Sequence, residues 1–363
     1  MGDVYLVQQR DADCQWVAKV VHEKLAGDPQ LLDRVRIEAQ ALSNLQHPNI
    51  VSVVDLGTTT DNRPFIVMEY LEGNDLGREL ASGRVFSLEE ILKYANEALS
   101  GIAAAHSLGI IHRDLKPDNL FLQDHGNGIR TLKILDFGVA RIVPGTAPHT
   151  PSPLAYATGT GVIVGTLRYV SPEGAAGFAV DYRADIYSMG LVLYRMLAGR
   201  GPYGESIADA DLIAMRLTQE PKPPSYFAST RIAPQLDEVV MKALQLSPRD
   251  RYQTAAEFAA ALRDVRATAL SYSNLDDEVP IALRVKRDQA AAGNGQWPHD
   301  EAETVSQRSI QLGKGGASIA RSALITKVAQ RLRKRATNLQ YLALVGAALV
   351  FIMLVVALAV IGR

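Results

Sequence analysis

His112-Arg113-Asp114-Leu115-Lys116-Pro117-Asp118-Asn119 follows a helical pattern over residues 88 to 106, and Asp136-Phe137-Gly138 follows the mainly apolar run from Leu132 to Leu135. Together these stretches set two carboxylates, Asp114 and Asp136, and the Asn119 amide on loops, with Lys116 between them. Pro117 fixes a backbone angle and Gly138 permits a bend. Such a group suits a metal-bound phosphate. Magnesium prefers hard oxygen ligands and keeps several waters, so one carboxylate, one amide oxygen and the phosphates themselves are enough to hold it.

The sequence upstream of this group reads as sheet, and the sequence around and beyond it as helix. Residues 4 to 21 and 50 to 70 are rich in β-branched and aromatic side chains (Val4, Tyr5, Val7; Val51, Val53, Val54; Phe65, Ile66, Val67), the composition of strands. Between them Leu32, Val35, Ala39 and Leu42 recur at helical spacing, with Glu38 beside their apolar face. Ser87 and Glu90 have the spacing of a capping box, and Leu88, Ile91, Ala95, Leu99, Ile102 and Ala105 continue the stripe. Asp185 to Leu197 is apolar on most sides and stops at Gly199 and Pro202, as a helix through the middle of a domain should. Further helices are expected at about 207–218, 234–246 and 254–267, after which the periodicity fades into a mixed polar segment read as a linker.

The chain has 363 residues, 38 Lys and Arg against 39 Asp and Glu, and one cysteine, Cys14. The near balance of charge gives no chain-wide basic field, so nucleic acid is not an expected partner. A lone cysteine forms no internal disulfide, and no Cys/His cluster has zinc-ligand spacing, which fits a reducing compartment. Asp3, Arg10, Asp11, Asp13 and Lys19 interrupt the first twenty or so residues, so no signal peptide is expected there.

Taken in order, these motifs resemble the protein kinase superfamily, and most of all the bacterial branch of eukaryotic-like serine/threonine kinases, over about residues 1 to 267. The resemblance implies an α+β, two-lobed fold, with a small mainly β lobe at about 1–70 and a larger helical lobe at about 71–267. It implies ATP and Mg2+ as cofactors, and serine or threonine hydroxyls of other proteins as acceptors. By the same resemblance Lys19, in Val17-Ala18-Lys19, looks like the strand lysine on the α- and β-phosphates, and Glu38 like its helix partner. Asp114 looks like the residue that orients the acceptor hydroxyl and takes its proton, and Lys116 like the cation that neutralises the transferring phosphate. Asn119 and Asp136 look like the metal ligands. Met68 resembles the residue guarding the back of the nucleotide pocket, and Glu69 to Leu71 the hinge whose backbone meets adenine. Gly165-Thr166 and Ser171-Pro172-Glu173 resemble the substrate-positioning end of the activation segment, Arg251 the partner of Glu173, and Asp185 the brace of the catalytic loop. His112 is expected to pack beside Phe137, while His106 suggests no site.

Some positions depart from the family pattern. Of the glycine-rich loop only the end is present: Gly2 matches its third glycine and Val4 the valine above the adenine. Bacterial relatives often carry Gly-Gly-Met-Gly here, which implies that Met1 is an internal methionine rather than the true start. A chain that begins at Met1 would lose phosphate cover and an edge strand, and a catalytically weak, membrane-bound scaffold is then the alternative reading. Leu167 and Gly174 stand where relatives often have proline and glutamine, which leaves the peptide preference open. Thr158, Thr160 and Thr166 lie where relatives carry regulatory threonines; Arg113 is placed to grip a phosphate at Thr158 or Thr160, and Thr166 reads as a positioning residue.

Tyr341 to Ile361 is an uncharged, mainly apolar run, roughly 31 Å long as a helix, which matches a bilayer core. Lys327, Arg331, Arg333, Lys334 and Arg335 precede it and no acidic residue follows Glu303, so the positive-inside rule puts the bulk of the chain in the cytoplasm. The expected organisation is therefore a domain over 1–267, a flexible linker with a basic end over 268–340, and one transmembrane helix over 341–361 in the cytoplasmic membrane. Ala343, Gly346, Ala347 and Ala357 form a small-residue face that leaves a homodimer open.

Overall fold

In a computed structural model the described residues are 2–8, 14–22, 45–61, 63–137, 166–204 and 207–273. Two antiparallel strands, β1 (Gly2–Gln8) and β2 (Gln15–Val21), open the chain, followed by β3 (Val53–Thr58) and β4 (Pro64–Glu69). They form one antiparallel sheet in the order β1-β2-β4-β3. Val4 stands opposite Lys19, and Lys19 opposite Ile66, so the lysine sits in the middle of the sheet. Its neighbours Ala18 and Val20 are buried, so alternation along the strand sends the lysine to the opposite face from the core.

The helical part begins with β5 (Gly73–Asp75) and α1 (Leu76–Ala81), then α2 (Leu88–Ser107). The predicted capping box is formed: the Ser87 hydroxyl accepts from the Glu90 N–H, and the Glu90 carboxylate accepts from the Ser87 N–H at 2.9 Å. Strands β6 (Leu120–Asp124) and β7 (Arg130–Ile134) follow, pairing with β5 in a second sheet. Then come α3 (Pro172–Ala175), α4 (Arg183–Ala198), α5 (Asp209–Thr218), α6 (Pro234–Ala243) and α7 (Ala255–Ser273). Helix α4 is buried on nearly every side and ends, as expected, on Gly199 in the left-handed region at φ 72°.

The sheet-built and helical parts are stitched together by backbone. A parallel bridge joins Ile50 to Ile134, with Ile134 N–H donating to the Asn49 carbonyl at 2.8 Å and Val51 N–H to the Ile134 carbonyl at 3.0 Å. The approach requires Gly101 on α2, where a Cβ would stand 2.9 Å from Ile134 and 3.1 Å from the Asn49 carbonyl. His47 acts as a packing element there: its Nδ1 accepts from the Asn49 N–H, and its Nε2 meets the Ser100 hydroxyl at 3.2 Å.

Two boundaries differ from expectation. Helix α6 stops at Ala243 rather than running to 246, and α7 continues to Ser273, past the point where the linker was expected. The continuation has a physical cause. Ala269 is fully buried and Tyr272 packs on the core, extending the stripe of Leu262 and Val265 by one turn and more. The predicted helix around Leu32 to Leu42 lies outside the described residues. Among the described residues no helix is long and apolar enough to cross a membrane, and the predicted span 341–361 lies outside them.

Candidate active site

The loop between α2 and β6 is held from below by one carboxylate. Asp185, at the start of α4 and fully buried, accepts from the His112 N–H at 2.8 Å and from the Arg113 N–H at 2.9 Å. It thereby meets two backbone donors that would otherwise be buried without partners. Its third contact is one that no sequence motif marks: His106, at the end of α2, reaches Asp185 Oδ2 through Nε2 at 2.8 Å. The loop conformation needs this bracing. Arg113 has φ 62° and Asp136 has φ 49°, and both are non-glycine residues in the left-handed region, where backbone strain collects at functional sites.

His112 is buried, and its two ring nitrogens have distinct partners. Nε2 lies 2.9 Å from the Leu135 carbonyl, which only accepts, and Nδ1 lies 3.3 Å from the Asp114 N–H, which only donates. The ring is therefore the neutral imidazole with its proton on Nε2. Burial pushes its pKa down, outweighing the neighbouring carboxylates Asp185, Asp114 and Asp136, which raise it. Phe137 packs on its face with ring centroids 4.8 Å apart, as expected. A histidine kept neutral in the folded state binds fewer protons than in the unfolded chain, so stability falls as pH drops through the ordinary value of 6.5. His47, also shifted down, first by burial and then by Lys133, acts in the same sense. The thermal stability of the wild type is expected to fall from about pH 7.5 to about pH 5.5, and His112→Gln to flatten that dependence. An unchanged slope in the variant would remove His112 from the account.

Above this support the chemistry-bearing side chains converge. Lys116 Nζ is 3.3 Å from Asp114 Oδ2. Asn119 donates through Nδ2 to the Asp114 carbonyl at 2.8 Å and stands 3.4 Å from its Oδ2. The Asn119 carbonyl accepts from the Leu135 N–H at 2.8 Å, which ties the loop to the residue beside Asp136. Lys19 Nζ lies 2.6 Å from Asp136 Oδ1, bringing the sheet-borne lysine to the second loop. The predicted partner of Lys19, Glu38, lies outside the described residues, as do Thr158, Thr160 and Gly165. Gly2 and Val4 lie on β1, Met68 and Glu69 end β4, and Leu71 follows. The Glu69 N–H is already taken by the Ser52 carbonyl at 3.1 Å, and its side chain by Lys133 at 2.6 Å.

The donor set fits a magnesium ion. Among the described residues no group of three or more His, Cys, Asp or Glu could hold a metal by itself. Asn119 spends its amide nitrogen on Asp114, an orientation that leaves Oδ1 as an oxygen ligand, and the Asp136 carboxylate is part-exposed. One amide oxygen, one carboxylate and phosphate oxygens match the needs of that ion.

Beyond the loops, a segment that leads from Thr166 into α3 is clamped at its far end. Arg251 donates to Glu173 through both terminal nitrogens, at 2.9 and 2.7 Å, forming the expected pair. It also donates to the carbonyls of Arg183, Gln245 and Leu246, and its guanidinium lies 4.8 Å from the centre of the Tyr187 ring.

Comparison with known proteins agrees with this geometry. A family model described as the protein kinase domain matches residues 1–261. Serine/threonine-protein kinase Pkn1 of Myxococcus xanthus is 37% identical over 267 residues, covering 72% of this chain and 36% of the relative. Serine/threonine-protein kinase PknB of Mycobacterium leprae is 33% identical over 328 residues, covering 88% and 49%. The chain thus spans less than half the length of these curated relatives. Among solved structures, the PknI kinase domain of Mycobacterium tuberculosis matches with a TM-score of 0.55 and 28% identity, over 74% of this chain and 91% of that one.

Proposed function

This chain belongs to the protein kinase domain family, and from that premise we propose that it transfers the γ-phosphoryl group of ATP to serine or threonine hydroxyls of other proteins. The observation that carries the proposal is the convergence of Lys116 and Asn119 on Asp114, on a loop tied through Leu135 to Asp136, which Lys19 meets.

In this mechanism Asp114 accepts a hydrogen bond from the acceptor hydroxyl, directs its oxygen at the γ-phosphorus and takes the proton as the new O–P bond forms. The bond from the γ-phosphorus to the bridging oxygen breaks, and ADP leaves with that electron pair. Lys116, beside Asp114, offsets negative charge on the transferring group, and Lys19 does the same for the phosphates that stay behind. Asn119 and Asp136 would hold Mg2+, which supplies charge neutralisation on the phosphate oxygens when bound. Met68, Glu69 and Leu71 line the adenine end in this reading, with Gly2 and Val4 above it. Autophosphorylation at Thr158 or Thr160, gripped by Arg113, is the regulatory step that the family resemblance supports; Thr166 positions the substrate. Acid hydrolysis of labelled protein products tests the acceptor class: phosphoserine and phosphothreonine are expected, and phosphotyrosine alone would contradict the assignment.

The same proposal places the chain at the cytoplasmic membrane through 341–361, with the basic segment 327–335 on the cytoplasmic side, and its support is the sequence pattern. Fractionation of cells expressing the full chain is expected to find it in the membrane pellet and resistant to high-salt extraction. A truncation after Gln340 should be released. Release of both by salt would overturn the anchor.

A further inference from the structure

Four consecutive backbone carbonyls, from Leu167 to Val170, are each met by a side chain. Arg216, on α5, donates through Nη1 to the carbonyls of Leu167 at 2.8 Å and of Val170, and through Nη2 to that of Arg168 at 2.8 Å. Ser188, on α4, donates its hydroxyl to the remaining one, Tyr169, at 2.7 Å. Among the described residues every hydrogen bond of Arg216 goes to a backbone carbonyl, unlike Arg251, whose charge is balanced by Glu173. Arg216 is only 3% exposed, so a full cation is buried against carbonyl dipoles. The planar fork of a guanidinium suits this work, since its fixed donors reach neighbouring acceptors at once.

The position of this device gives it meaning. The Thr166–Tyr169 turn leads directly to Ser171-Pro172-Glu173, which Arg251 clamps. Both guanidiniums lie against the Tyr187 ring, Arg216 at 6.0 Å and Arg251 at 4.8 Å from its centre. The segment is thus held at both ends across one aromatic ring of the central helix. No hydrogen bond or ion pair of Arg216 involves Asp114, Lys116, Asn119 or Lys19.

We propose that Arg216 is a positioning residue for the protein substrate: by capping the carbonyls of 167–170 it fixes the strip of backbone against which the acceptor peptide lies, without taking part in nucleotide binding. This rests on the reading of a protein acceptor proposed above. The family resemblance left the peptide preference open at Leu167, and Arg216 is what sets the backbone there, from a helix whose sequence carries no motif.

The test uses the full chain in detergent and a fluorescein-labelled array of short serine and threonine peptides, with binding read by anisotropy in the presence of magnesium and a non-hydrolysable ATP analogue. For the tightest wild-type peptide, Arg216→Met is expected to raise Kd about tenfold or more while the Kd of the ATP analogue stays unchanged. Arg216→Lys should recover part of the loss. Ser188→Ala removes the fourth cap from a different helix and should shift the same constant in the same direction, which keeps the test alive if Arg216→Met folds poorly. Unchanged peptide affinity in both variants, equal loss of peptide and nucleotide affinity, or no binding of any peptide by the wild type would each overturn the proposal. Since binding is measured without chemistry, a wild type that binds peptide but transfers no label contradicts the proposed activity and leaves this test intact.

Discussion

Replacing Asp114 by asparagine is expected to lower the rate of phosphoryl transfer by about 10²- to 10⁴-fold while leaving nucleotide affinity essentially unchanged. Asparagine keeps the shape of the side chain and can still meet Asn119, but its amide cannot accept the hydroxyl proton, and it removes the negative partner 3.3 Å from Lys116. In the proposed mechanism Asp114 acts in the transfer step and not in holding the nucleotide, so the expected loss belongs in kcat and not in the binding constant of ATP. Its backbone N–H bond to His112 survives the substitution, so the melting temperature should hardly move. A variant with wild-type kcat would remove Asp114 from the chemistry, whereas a variant that no longer binds ATP would point to a structural role.

The second large effect is on stability. Glu173→Gln leaves the Arg251 guanidinium, which has no exposed side-chain surface, without its negative partner, and breaking a buried pair in this way costs about 3–5 kcal/mol. In a domain of this size that is a fall in melting temperature on the order of 10 °C. Arg251→Met should be worse. It frees the Glu173 carboxylate and also takes the donor from the carbonyls of Arg183, Gln245 and Leu246. The double substitution Glu173→Leu with Arg251→Met therefore stays unstable, because those carbonyls remain unmet even after the charge is gone. Thermal unfolding of the three variants checks the order, and a double variant as stable as wild type would show that the backbone contacts matter little.

Much of the geometry of the candidate site was legible because its side chains are carried by contiguous stretches. Asp114, Lys116 and Asn119 lie within a few residues of one another, and their contacts follow from one loop. The Ser87–Glu90 capping box and the Gly199 stop are likewise local rules, and both are formed. What the sequence alone does not disclose depends on distant packing. His106 looks like an ordinary helix-end histidine until α4 brings Asp185 to it across 79 positions of chain. Arg216 sits in a short amphipathic helix with nothing to mark it, and its carbonyl partners lie 46 to 49 positions earlier. The extra length of α7 was readable in principle: Leu262, Val265, Ala269 and Tyr272 keep helical spacing, but the small size of Ala269 hides a buried position among residues of weak hydrophobic character.

Protein phosphorylation is tested by incubating the purified full chain with γ-labelled ATP, magnesium and the peptide array, beside the Asp114→Asn variant and a magnesium-free control. The proposed transfer predicts label on peptide serine or threonine hydroxyls in the complete wild-type reaction and almost none in the other two. Label released only as inorganic phosphate, or transferred equally by the Asp114→Asn chain, would contradict it.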